Sequence, residues 1–285
     1  MGNNVYQIIT DRIIAELEKG VIPWRKPWTG TQAGAYSHST GKPYSLLNQM
    51  LLGRPGEYIT WSQVKAEGGT VRQGEKSSVV VFWKQQNVKE LDAESSEEVE
   101  KTIPILRYFN VFHVDQCEGI RKKYAERPQE TFEPLEHAER IQDAYVGREG
   151  VRVSYVAGDR ACYSPAADRV TLPLREQFQS AEEFYSTLFH ELAHSTGHKS
   201  RLNRFTGSGC AAFGSSDYGK EELVAEITAA SLLNVCGIET QSSFQNSASY
   251  VDNWLRAIRG DNRLIVSAAG KAEKAAALIL GEAGA

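Results

Sequence analysis

The sequence predicts an α+β fold laid out as two successive domains, residues 1–127 and 128–285. Three observations predict it. Apolar positions recur at three- and four-residue spacing at the N-terminus and again through the second half, the period of amphipathic helices. Short β-branched and aromatic runs, broken by Gly, Pro and polar clusters, fill most of the chain from Gly20 to Val114. Strands and helices come in blocks rather than in alternation, which argues against a doubly wound parallel sheet. A chain of 285 residues is long enough for two such units.

Taken in order, the first helix starts after Asn4. Val5, Ile8, Ile9, Ile13 and Leu17 share one face, and Gly20 ends the run. Beyond it the signals are mostly short strands and turns. Two strand-like runs, Ser77 to Trp83 and Thr102 to Val114, flank the acidic segment KELDAESSEEVEK, which reads as the exposed loop 89–101 of a long hairpin. The cluster RKKYAERPQETFEP reads as a linker and sets the domain boundary near Arg127-Pro128. A helix over 137–147, strands over 151–157 and 168–172, and three or more helices follow. Ser180 and Glu183 have capping-box spacing, Phe184, Leu188 and Leu192 form an apolar stripe, and Gly197 supplies a stop. A further helix is expected over 217–236.

Composition excludes several classes. Hydrophobic residues at 41% and charged residues at 24% rule out wholesale disorder and collagen-like repeats. No run of 18 apolar residues is present, so no membrane partner is expected. The N-terminal apolar pattern carries Asp11, Arg12, Glu16 and Glu18, unlike a signal peptide. Cys117, Cys162, Cys210 and Cys236 are widely spaced and read as reduced thiols, so a cytoplasmic protein is expected. The net charge of −4 disfavours nucleic-acid binding by bulk positive charge. That figure is an average, however: residues 1–88 carry +4, 89–101 −4, 102–127 +2 and 128–285 −6.

The sharpest motif is His190-Glu191-Leu192-Ala193-His194. Four residues of α-helix turn ~400°, so the two imidazoles lie one above the other on one face. They can therefore share one cation, while Glu191 is offset to reach an attacking water as general base. A metal site of this type needs a third protein ligand and an open position. On the 217–236 helix, Glu222 and Glu226 stand one turn apart. Glu222 is the favoured ligand and Glu226 its neighbour, placed to accept the outer N–H of a ligating histidine. His198 is a further ligand candidate. Arg201, Arg204 and Lys220 could instead pair with the glutamates on a solvated face. With three ligands, water acidity would shift towards pH ~7, Glu191 would carry the proton to a leaving nitrogen, and Tyr218 or His198 could donate to an oxyanion. The residue types do not separate zinc from manganese. The strand at 168–172 could take an extended peptide at a sheet edge.

The N-terminal half interleaves aromatics with cations: Trp24, Arg25, Lys26 and Trp28 in PWRKPW, Lys42 and Tyr44 in TGKPYS, and Arg72 and Lys76 in VRQGEKSSVVVFWK. Such a pattern suits single-stranded nucleic acid, whose bases stack on aromatic rings while cations track phosphates. It equally suits a plain β-rich domain. Trp61 and Trp83 lie in strand-like runs and are expected in the core; Trp24, Trp28 and Tyr44 lie in Pro/Gly-rich loops and are expected to be exposed.

Taken together, the chain resembles ArdC-type plasmid antirestriction proteins, which are related to TraC primase-like proteins. The resemblance is carried by IPWRKPW, TGKPYSLLN, GGTVRQGEKSSVVVFWK and NVFHVDQCEGI in the first half. In the second it is carried by ACYSPAADRVTLP, TLFHELAHSTGHKSRLNR, FGSSDYGKEELVAEITAASLL and YVDNWLRAIRGDNRLIVSAAGKAEKAA. Leu46-Leu47 stands where the family pattern is expected to read Gly-Ile. The resemblance implies a single-stranded-DNA-binding domain followed by a zincin-like domain of gluzincin or SprT-like type. It implies a bacterial, plasmid-borne protein that shields incoming DNA from restriction enzymes. It carries over His190, Glu191, His194 and a glutamate of EELVAE, and the choice of Glu222 follows gluzincins and related Glu-x-x-Ala zincins.

The function expected is therefore antirestriction through DNA binding, single strands over duplexes, with a metallopeptidase-type site loaded with zinc or manganese. Two rivals stand beside it: a DNA-coating module whose zincin fold does not hydrolyse, and a metalloprotease acting on a regulator, a restriction enzyme or another DNA-bound protein. Binding driven by stacking is expected to depend only weakly on salt.

Overall fold

The computed structural model describes residues 4–25, 34–91, 98–124, 133–205, 216–238 and 247–282. Helix α1 (Val5–Leu17) begins where the Asn4 side chain accepts the Tyr6 N–H at 3.1 Å, and it buries Ile9, Ile13 and Leu17. After a short 3-10 turn at Pro23–Arg25 come β1 (Ala35–Ser37), α2 (Leu46–Leu52), β2 (Gly56–Thr60) and α3 (Trp61–Ala66). The two short helices are a correction, since this region reads as strands and turns. Helix α3 is nucleated by a reciprocal cap between Thr60 and Gln63, and α2 buries six of its seven residues.

Next come β3 (Thr70–Val71), the long strands β4 (Ser78–Leu91) and β5 (Glu98–His113), and β6 (Cys117–Glu118). The first sheet runs β1-β2-β5-β4, and β3 pairs with β6 apart from it. The acidic segment is not simply a loop: antiparallel pairing continues outward until Leu91 faces Glu98. Only residues 92–97 of it lie outside the described residues.

The second half comprises α4 (Pro134–Glu149), β7 (Arg152–Val156), β8 (Cys162–Ser164), β9 (Arg169–Pro173), α5 (Ala181–Ser195), α6 (Ser216–Cys236), α7 (Ser247–Gly260) and α8 (Leu264–Leu280). Its sheet is ordered β7-β9-β8. Strand β9 is therefore central, paired parallel with β7 and antiparallel with β8, and it has no edge to offer a peptide. The expectation that 168–172 is an edge strand is corrected by this pairing. The second neighbour, β8, is only three residues long, too short for its alternation to be read from the sequence.

One core cluster joins Ile9, Ile13 and Trp24 to Leu223, Ile227, Trp254, Ile258 and Ala269, so residues on both sides of the expected boundary near residue 127 share a core. A second cluster, with Tyr145, Val170, Leu172, Phe184, Leu188, Leu192 and Leu232, lies between the β7-β9-β8 sheet and helices α5 and α6. Helix α6 contributes to both clusters and so links the N-terminal elements to α5.

Candidate metal centre

Helix α5 starts at Ser180, whose hydroxyl accepts the Glu183 N–H at 3.2 Å, with Glu182 and Glu183 in the favourable first turn. Its apolar face, Phe184, Leu188 and Leu192, is fully buried. That anchoring fixes the remaining arc of the helix, which carries His190 and His194 towards α6. Helix α6 buries Leu223, Val224 and Ile227 and turns Glu222 towards the two imidazoles.

The His190 and His194 Nε2 atoms lie 3.1 Å apart, with ring planes at 80°. One Glu222 carboxylate oxygen is 3.4 Å from His190 Nε2 and the other is 3.4 Å from His194 Nε2. Bonds of roughly 2.0–2.1 Å in tetrahedral geometry give a ligand–ligand edge of about 3.3 Å. The three donors therefore already stand at the spacing that one small divalent cation requires. Among the described residues, this is the one group of three His, Cys, Asp or Glu side chains so arranged.

The outer ring nitrogens face carboxylates as well. Glu226 lies 3.5 Å from His190 Nδ1, on the same face of α6 as Glu222 and one turn on, as the spacing predicts. Glu221 lies 3.6 Å from His194 Nδ1. Burial pushes both imidazoles towards the neutral form, but the carboxylates prevail. Glu222, Glu226 and Glu191 raise His190, while Glu221, Glu222 and Glu191 raise His194 to about 10. Burial pushes the Glu222 carboxyl up, yet the two histidines hold it far below the usual carboxylate range. The cluster thus demands positive charge, and two imidazolium Nε2–H groups cannot face each other at 3.1 Å. A divalent cation would supply that charge where the lone pairs converge.

Glu191 is buried on the same helix and adds its charge to both histidines. The Arg204 side chain pairs with Glu221 and Arg201 with Asp168, while Glu222 and Glu226 face the histidines. His198 is not brought into the cluster. Its Nδ1 is engaged by the Ser200 hydroxyl at 2.7 Å, after the chain has left the helix. The group at metal-ligand spacing among the described residues is His190, His194 and Glu222, without His198. The chain turns at Gly197, where a Cβ would meet the Phe205 ring at 2.7 Å. Tyr218 falls in the first turn of α6, and its side chain lies outside the described residues.

The aromatic expectations are largely reversed. Trp24 is 1% exposed and packs edge-on to Trp254 at 5.2 Å, so it offers no face to a base. Trp61 and Trp83, expected in the core, are each 56% exposed. Lys26 and Trp28 lie outside the described residues, as does the Arg25 side chain. Lys42 and Lys76 are exposed, Arg72 is exposed but paired with Glu75 at 3.0 Å, and Tyr44 is half-buried with its hydroxyl pushed up to about 12 by burial.

The sequence reading missed two rings on the hairpin, Phe82 and Phe109, that stand beside Tyr44. Tyr44 lies 6.1 Å from Phe82, and Phe82 lies 5.9 Å from Phe109, with Phe82 46% and Phe109 48% exposed. The register puts Arg107 opposite Phe82 and Lys84 on the same face, while Trp83 and Tyr108 lie on the other. A signal was present: adjacent Phe82 and Trp83 in one strand point to opposite faces, and both are buried only if both faces are covered.

Comparison with known proteins fits these two regions. Residues 3–112 match the family described as the N-terminal domain of anti-restriction factor ArdC, and residues 139–271 match a zincin-like metallopeptidase family. The crystal structure of the antirestriction ArdC protein from plasmid R388, Mn(II)-bound, is similar with 35% identity over 98% of this chain and 97% of that one, at a TM-score of 0.74. Its metal-free structure gives 38% identity and a TM-score of 0.72. A DNA primase TraC of Escherichia coli is 34% identical over 94% of this chain, which spans only 19% of that relative's length. The protein y4eC of Sinorhizobium fredii (strain NBRC 101917 / NGR234) is 30% identical over 96% of this chain and 90% of its own length.

Proposed function

The chain belongs to the ArdC antirestriction family, and from that footing we propose that it shields DNA entering a bacterial cell from restriction enzymes. In this reading the N-terminal half holds single-stranded DNA and the C-terminal half carries a metallopeptidase-type centre. The observation that carries the centre is the convergence of His190, His194 and Glu222 at metal-ligand spacing. Zinc is the proposed cation and manganese the alternative, since two imidazoles and one carboxylate accept either. The protein is read as cytoplasmic and plasmid-borne. No helix among the described residues is long and apolar enough to cross a membrane.

A divalent cation bound there supplies Lewis acidity, polarising a carbonyl oxygen and bringing the acidity of water near neutrality. The chain's own residues do the rest. His190, His194 and Glu222 hold the position, and Glu226 orients the His190 ring. Glu191 takes the proton from attacking water and returns it to the leaving nitrogen of a cleaved peptide. Tyr218 is the proposed oxyanion donor.

DNA contact is assigned to the hairpin rings Phe82 and Phe109 and to Tyr44 beside them. Tyr44, Phe82 and Phe109 are spaced for successive unstacked bases, with Lys84 and Arg107 beside them for phosphates. These replace Trp24 in the role expected of it. The same surface favours a second reading, in which the protein coats DNA and the metal centre is not used for turnover. Glu191→Ala separates the two in a plasmid-transfer assay into a restricting host. Loss of protection by at least 10-fold, with metal content unchanged, supports hydrolysis; full protection by the variant leaves coating as the mechanism. Proteomes of cells expressing either form identify a cleaved regulator or restriction enzyme if peptidase activity is the function.

A further inference from the structure

His194 Nδ1 is buried, and among the described residues no hydrogen-bond acceptor lies within the usual distance of it. The group facing it is Glu221, at 3.6 Å. Glu221 does not swing freely. The Arg204 guanidinium grips its carboxylate with two bonds, 2.5 and 3.1 Å, and this arginine side chain is almost fully buried. The same guanidinium donates to the Thr196 hydroxyl at 2.6 Å and to the Ala193 carbonyl at 2.9 Å. Arg204 therefore bridges the C-terminal end of α5, which carries His194, to the first turns of α6, which carry Glu221 and Glu222.

The chain is shaped to deliver it. After Gly197 the backbone folds back on itself. Leu202 N–H reaches the Thr196 carbonyl at 2.9 Å, and Arg204 N–H reaches the Gly197 carbonyl at 3.0 Å. Asn203, with φ at +47°, supplies the left-handed residue that turns the chain there. Asn tolerates this conformation better than most side chains.

We propose that Glu221, held by Arg204, is a positioning residue for the metal ligand His194, orienting its ring through Nδ1 as Glu226 does for His190. This rests on the reading of His190, His194 and Glu222 as a metal centre. A ligating imidazole that donates its outer N–H to a carboxylate is fixed in one tautomer and is a stronger donor, and loss of such a partner weakens metal binding by about 10–100-fold. One short stretch of α6, Glu221 to Glu226, then provides a ligand and the outer partner of each histidine. Arg204 adds a second role: it ties the two ligand-bearing helices together.

The test is Zn2+ affinity of the full-length chain, measured by competition with a chromophoric chelator, for wild type, Glu221→Gln and Arg204→Met. The visible spectrum of the Co2+-loaded proteins and the melting temperature of the metal-free proteins are recorded alongside. Glu221→Gln is expected to lower Zn2+ affinity by about 10–100-fold and to alter the Co2+ spectrum, with the metal-free melting temperature little changed. Arg204→Met is expected to act in the same direction, and the double variant to lose less than the product of the two. Zn2+ affinity within twofold of wild type in Glu221→Gln overturns the proposal, as does a loss in melting temperature with no change in affinity. If Glu221→Gln does not fold, Glu221→Asp carries the same comparison. Failure of the wild type to bind Zn2+ or Mn2+ at all is a different result: it removes the metal centre itself, and the proposal with it.

Discussion

On the helix pair α5–α6 the reactive side chains point inward between two packed elements, whereas on the hairpin β4–β5 the aromatic rings point outward from a surface. The difference lies in what holds each group in place. His190, His194 and Glu222 sit on helices whose opposite faces are buried, so their geometry follows from anchored backbone and is reinforced by Glu221, Glu226 and Arg204. Phe82 and Phe109 are positioned by strand register, by each other and by Tyr44 beside Phe82, all on an open surface. A centre that must hold a cation gains from rigid support. A surface that stacks bases of any sequence tolerates ring movement, because every base offers a π-face.

The largest effect that could sharpen this contrast is on metal content. The His190→Ala/His194→Ala variant is expected to fall from about one bound cation per chain to below a tenth by elemental analysis, since one carboxylate alone does not satisfy a site built for three ligands. The Phe82→Ala/Phe109→Ala variant is expected to keep its full metal content. Should the hairpin variant also lose metal, the two regions are not independent, and the shared core through α6 is the route by which they communicate.

Next in size is the exchange of roles between two aromatic sets. Trp24→Ala removes a buried ring lodged against Trp254 and is expected to cost about 3–5 kcal/mol of stability, seen as a lower denaturation midpoint. Oligonucleotide binding by its folded fraction should be unchanged. Phe82→Ala and Phe109→Ala are expected to leave the midpoint nearly untouched and to weaken single-stranded DNA binding by about 1–3 kcal/mol per base lost from a ring. The contrast breaks if Trp24→Ala weakens binding at full folding, or if the hairpin changes leave binding intact.

These outcomes follow what the sequence does and does not encode locally. The pair His190 and His194 and the facing glutamates are legible because helix geometry turns residue spacing directly into position. Helices α1, α5 and α6 are legible for the same reason, through their apolar periods and caps. Whether Phe82, Trp83 or Trp24 is buried depends on which faces of a strand or loop the rest of the chain covers, and that information is not local. Trp24 is buried because α6 and α7 lie over it, from more than 190 residues away. Strand β9 is central for a different reason: β8, which pairs on its second edge, is only three residues long and too short to show an alternation. The role proposed for Glu221 is not local either, because it depends on Arg204 arriving through the turn at Asn203. The short helices α2 and α3 are too brief to show a period.

The smallest expected effect is on salt dependence, and it tests how the hairpin binds rather than whether it does. The net charge of −4 leaves little bulk attraction for a polyanion. On the ring-bearing face the cations beside Phe82 are Lys84 and Arg107, and Arg107 already donates to Gln86 at 3.2 Å. If about two phosphates are neutralised, the slope of log K against log salt for a single strand is roughly −1.4, which is about a sevenfold loss of affinity between 50 and 200 mM salt. A titration of a labelled single-stranded oligonucleotide by fluorescence anisotropy measures it. A slope near −4 or steeper would mean that phosphate contacts dominate. The cations of the N-terminal half, Lys42 and Lys76 among them, would then have to carry the binding, and the rings would be secondary. A shallow slope that steepens no further in the Phe82→Ala/Phe109→Ala variant, while overall affinity drops, leaves stacking as the main source of affinity and charge as the lesser one.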